Sequence, residues 1–206
     1  MPEYQSDDER AEALRQWWVE NGKAIVAGVI MAILGLMGWR YWQDYSKTQN
    51  ENASALYAQV EMAKDATSGK RFVSQLENDY QSTPYAALAN LHLAKQQIAE
   101  KQDKQAITTL RWIVNNGSDK PIVDIATLRL SRLLVAENQP DEAERLLKNE
   151  FSPAYSSLIT ELQGDIHLAR DEIDKAREAY DKAILSSGGR SINFLKMKRD
   201  DLGTGA

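Results

Sequence analysis

One helical pattern recurs three times between Tyr85 and Tyr180, and it constrains the fold of this 206-residue chain more than any other feature. The segments DKQAITTL (103–110), DEAERLL (141–147) and DKAREAY (174–180) align on Ala106, Ala143 and Ala176, which stand at nearly even intervals. Tyr85, Ile122 and Tyr155 all stand at the same distance before their alanine, followed three positions later by Leu88, Ile125 and Leu158. Twelve positions before the alanines stand the small residues Ala94, Ser131 and Gly164. Eight before come Ile98, Val135 and Leu168, and seven before Ala99, Ala136 and Ala169. Four positions after the alanines come Leu110, Leu147 and Tyr180. Agreement in type at these seven positions across three copies exceeds what helical periodicity alone produces.

The spacing describes a pair of antiparallel helices, A and B, joined by a short polar turn. The small residue lets helix A approach its neighbour closely, and the alanine does the same for helix B. Aliphatic and aromatic positions at steps of three and four fill the seam. A single pair cannot bury its apolar face, so stacked pairs share one continuous core. A period of about 34 with these landmarks resembles the tetratricopeptide repeat, most closely in the third unit, with Gly164, Ala176, Tyr180 and Ala183. The tryptophan usual early in helix A and the closing proline are absent from all three units.

No segment sustains a two-residue alternation of β-branched residues, so the class is all-α. Breaks are expected at Ser68-Gly69, Ser82-Thr83-Pro84, Asn116-Gly117, Gln139-Pro140, Ser152-Pro153 and Gly188-Gly189. Pro84, Pro121 and Pro153 suit a first helical turn. Gly117 and the Gly188-Gly189 pair suit helix ends at positive φ. Ala53 to Ala66 and Arg71 to Tyr80 read as one further helical pair capping the stack. Ser191 to Asp200 reads as a closing helix with Ile192, Phe194 and Leu195 facing inward, followed by a loose tail to Ala206.

The N-terminal part follows a different rule. Between Lys23 and Arg40 lies an unbroken run, Ala24 to Trp39, without a charged side chain. As a helix it spans roughly 24 Å at about 1.5 Å per residue, against a hydrocarbon core of about 30 Å. Lys23 and Arg40 make up the difference by extending their charges to the headgroups. Trp17 and Trp18 precede the run, and Trp39, Tyr41, Trp42 and Tyr45 follow it, as in interfacial aromatic belts. A cleaved signal peptide needs small residues after its apolar region. Trp39-Arg40-Tyr41-Trp42 is bulky at each such position, so the segment reads as a retained anchor over 24–45. Arg10, Arg15 and Lys23 on one side against Arg40 and Lys47 on the other lean toward a cytoplasmic N-terminus.

Charge excludes some functions. The net charge is −5, with six carboxylates against three cations in residues 1–23, an acidic head that is partly helical. No basic patch of the density that nucleic-acid backbones require is visible. The chain contains no cysteine, hence no disulfide framework, thiol nucleophile or thiolate metal site. Its two histidines, His92 and His167, occupy non-equivalent repeat positions and lack metal-binding spacing. No phosphate-binding glycine loop and no nucleophile-elbow motif occur, and carboxylates fall in surface pairs such as Asp141/Arg145. These features point to a non-enzymatic protein without a cofactor.

Two surfaces can bind. On the anchor, Ala24, Gly28, Ala32 and Gly35 form one stripe of small residues, against which another transmembrane helix could pack closely. Glycine and alanine are also simply common in such helices, and the sequence alone does not separate the two readings. The second surface is the face that stacked A helices line. In the first unit Leu88, Leu91, Lys95 and Ile98 would face it. Ile125, Leu128, Arg132 and Val135 follow in the second, then Leu158, Glu161, Asp165 and Leu168 in the third. An apolar groove with a charge midway along each helix suits an amphipathic or extended polypeptide. The competing reading makes these aliphatics core.

The acidic head with Tyr4, Glu20-Asn21-Gly22-Lys23 entering the anchor, Gly38-Trp39-Arg40-Tyr41-Trp42 leaving it and the repeats beyond resemble the YfgM family. Members of that family are ancillary subunits of the bacterial SecYEG translocon. The resemblance implies a single-pass protein of the cell inner membrane, with residues 1–23 cytoplasmic and residues 46–206 a tetratricopeptide-like periplasmic domain. It further implies association with the SecYEG channel, with the periplasmic chaperone PpiD and with client polypeptides leaving the channel. A second hypothesis makes the chain a membrane-anchored regulatory adaptor, whose head (Glu9 to Val19) binds a cytosolic signalling protein.

Overall fold

The computed structural model describes residues 7–189 and 192–203, with side chains from residue 9. Tyr4, Ser191 and the end of the tail, 204–206, lie outside the described residues. Among those described, the chain is helical throughout, with no strand. It divides into two units, residues 1–49 and 50–206.

Helix α1, Asp7–Glu61, runs without interruption from the head through the apolar segment into the second unit. In the first unit Leu36, Met37 and Trp42 are 65%, 64% and 58% exposed, and the rest of the run is similarly bare. So large a continuous apolar surface is untenable in water and natural in lipid. The helix is long and apolar enough to cross a membrane. Near its entry, the Asn21 side chain donates to the Trp17 carbonyl at 3.0 Å, and the Trp18 indole covers Gly22.

The second unit begins with the end of α1 and α2 (Ala66–Asp79), the expected extra pair. The break between them falls at residues 62–65 rather than at Ser68-Gly69. Asp65 caps α2 by accepting from the Ser68 amide at 2.7 Å, while the Ser68 hydroxyl reaches back to the Asp65 amide, a reciprocal capping box. Ser68-Gly69 therefore belongs to the first turn of α2.

The three repeats follow as α3 (Pro84–Ala99) with α4 (Asp103–Asn116), α5 (Lys120–Ala136) with α6 (Pro140–Leu146), and α7 (Ser156–Ala169) with α8 (Ile173–Ser186). One turn geometry joins A to B in each. Lys101, Asn138 and Asp171, each five positions before its aligned alanine, sit at φ of 59°, 58° and 59°. The amides of Gln102, Gln139 and Glu172 return to the carbonyls of Gln97, Leu134 and His167 at 2.7, 2.8 and 2.9 Å. This six-to-one closure satisfies the carbonyls that a helix end leaves open. The same three residues then accept the amides of Ala106, Ala143 and Ala176 to start the B helices.

The aligned alanines, the small residues before them and the residues four positions after them are core. Ala106, Ala143, Ala176, Leu110 and Tyr180 are fully buried. A methyl group on Gly164 would stand 2.5 Å from the Tyr180 ring, so the glycine exists to seat that ring. Gly117 needs a correction: its φ is −65°, not positive. Its lack of a side chain serves close approach, because a Cβ there would lie 2.7 Å from both the Ile113 carbonyl and the Val123 side chain. Gly188 and Gly189 do take positive φ, 57° and 93°.

Two elements depart from regularity. Helix α6 is half the length of α4 and α8, and residues 147–152 run on to a 3₁₀ turn at Pro153–Tyr155. Buried Asp124 ties down that loop: it pairs with Lys120 and accepts the Ser152 amide at 3.3 Å, while Lys120 also donates to the Glu150 carbonyl. The last helix, α9 (Ile192–Asp200), packs on α8 through Leu195, which is 1% exposed. Its continuation is not loose up to Gly203, whose carbonyl accepts from Arg177 at 2.9 Å.

Candidate docking groove

The A helices carry a row of charges. Lys95, Arg132 and Asp165 all hold the same repeat position, one after the small residues Ala94, Ser131 and Gly164, and Lys198 on α9 continues the row one repeat period beyond Asp165. Phe194 follows Glu161 by that same step, so α9 occupies the place of a fourth A helix. That role differs from the expected one. Leu195 faces inward, but Phe194 is 47% exposed and lines the groove.

Two adjoining hollows make up this face. The first lies between α3 and α5, walled by Lys95, Ile98, Arg129, Arg132 and Leu133. The second, of about 790 Å³, lies between α5, α7 and α9, with Val135, Leu158, Leu168 and Phe194 as its apolar lining. Arg132 borders both.

The second hollow is electrostatically closed on itself. Lys198 Nζ donates to Glu161 Oε1 and to both Asp165 oxygens, each at 2.8 Å, and lies 5.1 Å from the Phe194 ring centre. The Tyr180 hydroxyl donates to Asp165 Oδ1 at 2.7 Å. Burial first, and then the Asp165 hydrogen bond, pushes the Tyr180 phenol far above its usual range, so it acts only as a donor. Glu161 is buried, and its second oxygen lies 3.5 Å from Arg132. A carboxylate this buried is tolerated because it is paired and hydrogen-bonded. The first hollow is open in charge. Neither the Lys95 nor the Arg129 side chain has a hydrogen bond or ion pair among the described residues.

The expected groove residues separate into three groups. Lys95 and Arg132 are exposed, as are Ile98 and Leu168 at 42% and 39%. Leu88, Leu91, Ile125, Val135, Leu158 and Asp165 are half-buried, and Leu91, Val135 and Leu158 also pack against the core. Leu128 is a correction. At 4% exposure it belongs to the main core, because the turn of α5 that carries it faces inward together with Ala126 and Leu130. Its repeat equivalent Glu161 is buried as well. Arg129, Phe194 and Lys198 were not foreseen; extending the repeat step past the third unit would have found the last two.

On α1, Ala24, Gly28, Ala32 and Gly35 are all exposed, with open space around Gly28 and Gly35. Lys23, Trp39, Arg40, Tyr41 and Trp42 are exposed too, and the Trp39 and Trp42 rings lie 5.5 Å apart. His92 is half-buried, and His167 Nδ1 lies 2.6 Å from Glu172 Oε2 at the third A–B turn. Among the described residues, no group of three histidines and carboxylates could hold a metal ion.

An apolar membrane-length helix leading into stacked helical pairs defines a membrane-anchored tetratricopeptide-like protein. A family model described as a tetratricopeptide repeat-like domain matches residues 15–204. The chain is similar to the ancillary SecYEG translocon subunit of Haemophilus influenzae, at 30% identity over 95% of this chain and 97% of that protein. It is 26% identical to the protein of that name in Escherichia coli (98% and 99% covered), and 27% identical to the one in Neisseria gonorrhoeae (98% and 100% covered). The chain thus belongs to the family of ancillary SecYEG translocon subunits. No solved structure matches it significantly.

Proposed function

We propose that this protein is a non-enzymatic accessory of the SecYEG translocon in the inner membrane. In this account α1 spans the bilayer over residues 24–45 with the acidic head in the cytoplasm. The repeat domain stands in the periplasm, where its groove couples the channel to the chaperone PpiD and to polypeptides leaving the channel. The observation that carries the reading is the groove: a continuous face of A helices with exposed aliphatic side chains and uncompensated charge. The names of the relatives, over nearly their whole length, support the translocon as the setting. On α1 the stripe Ala24, Gly28, Ala32, Gly35 supplies a face for a neighbouring transmembrane helix. Lys23, Trp39, Arg40, Tyr41 and Trp42 set its depth.

The test is co-purification of SecY with the full chain from gently solubilised membranes. SecY is expected with the unaltered chain and reduced several-fold by Gly28→Leu, which fills the open face of α1. Absence of SecY from the unaltered chain would overturn the accessory reading. Equal recovery with Gly28→Leu would remove the small-residue stripe from it.

A further inference from the structure

We propose that the hollow between α3 and α5 is the seat for an acidic, amphipathic peptide segment of a partner protein. This deepens the accessory reading by naming the chemistry that the groove accepts. Three cations, Lys95, Arg129 and Arg132, border the hollow, and no carboxylate does. The chain as a whole is acidic, and from Ala24 onward carboxylates still outnumber cations, so this clustering runs against the global charge. The Lys95 and Arg129 side chains have no internal partner among the described residues. Arg132 is paired with Glu161 at 3.5 Å, so the unpaired cations of the hollow are Lys95 and Arg129.

The second hollow shows what the groove does with negative charge. Lys198 and Arg132 balance the charges of Glu161 and Asp165, and the Tyr180 hydroxyl donates to Asp165, leaving no free anion to attract a basic ligand. The charge left uncompensated along the groove is therefore positive and lies in the first hollow. Carboxylates placed there gain charge-assisted hydrogen bonds from guanidinium and ammonium groups. Ile98 and Leu133 supply apolar contact between the charges, which selects an aliphatic or aromatic side chain beside the acid. A basic peptide meets the unpaired Lys95 and Arg129 and is rejected.

The experiment uses the full chain in a neutral detergent and fluorescence anisotropy of a short labelled peptide alternating glutamate and leucine. Comparison peptides carry glutamine or lysine in place of glutamate. Saturable binding of the glutamate peptide is expected, at least roughly tenfold tighter than either comparison. The double variant Lys95→Glu/Arg129→Glu should lose roughly tenfold or more, with unchanged circular dichroism because both residues are exposed. Lys148→Glu, exposed on the chain outside the hollow, should bind as the unaltered protein does. Three results would each overturn the proposal: no saturable binding, equal binding of the lysine peptide, or full affinity in the double variant. SecY recovery read on the same preparations separates the two ideas. Its retention alongside failed peptide binding removes the acidic seat and leaves the accessory reading standing.

Discussion

Gly164 and Tyr180 show how far one residue can dictate local architecture. The tyrosine ring lies where a methyl group on residue 164 would be, at 2.5 Å, and its hydroxyl is committed to Asp165. Alanine would improve helix propensity by about 1 kcal/mol, but overpacking a filled site costs about 1–3 kcal/mol. Gly164→Ala is therefore expected to lower the denaturation midpoint, and an unchanged or higher midpoint would mean that the ring moves aside freely. Glu77 makes a different case. Burial raises its carboxyl above the usual range, against the opposing effects of Asn90 and Lys70. The folded state thus holds the proton more tightly than the unfolded chain. Stability from this group is present below the unfolded value and lost as pH rises through the folded one. Glu77→Gln should raise the melting temperature at neutral pH, with the gain disappearing as pH falls into the carboxyl range. A constant gain at every pH would place its origin elsewhere.

The three A–B turns repeat a single solution with different residues. Asn138 and Asp171 tolerate the left-handed region better than lysine does, because their short polar side chains bond locally. Lys101→Gly should accordingly stabilise by about 1 kcal/mol, and more than the same change at Asn138 or Asp171. Equal effects at all three positions in thermal unfolding would contradict this. These turns also mark what the sequence conceals. The helical pairs were legible from Ala94, Ser131 and Gly164 set against the aligned alanines, because close helix packing tolerates little else there. The positive φ at Lys101 was not, since lysine carries no signal for it and backbone closure alone imposes it. Gly117 misled in the opposite way: close approach and positive φ leave the same residue in the sequence. The loop after the short helix α6 is held at Ser152 by Asp124, which lies on the preceding helix, and no local pattern reports that. For the groove, repeat register placed Lys95, Ile98 and Arg132 at open positions but also drew in Leu128. One helical step does not separate a groove-facing leucine from a core one when both are apolar.

For the whole molecule, two solvents are written into one chain. An apolar helix bare of contacts suits lipid, and a stack of small-residue seams suits water. The proposed division of labour puts recognition in the groove and location in the anchor, so the side of the membrane on which the repeats stand decides the account. The chain has no native cysteine, which permits a single reporter. Leu185, 86% exposed near the end of α8, is the position for it. Leu185→Cys would be treated with a membrane-impermeant maleimide in cells whose outer membrane has been permeabilised. Labelling before the inner membrane is broken is the predicted result and places the groove where secreted chains emerge. Labelling only after lysis would put the repeats in the cytoplasm and contradict the account.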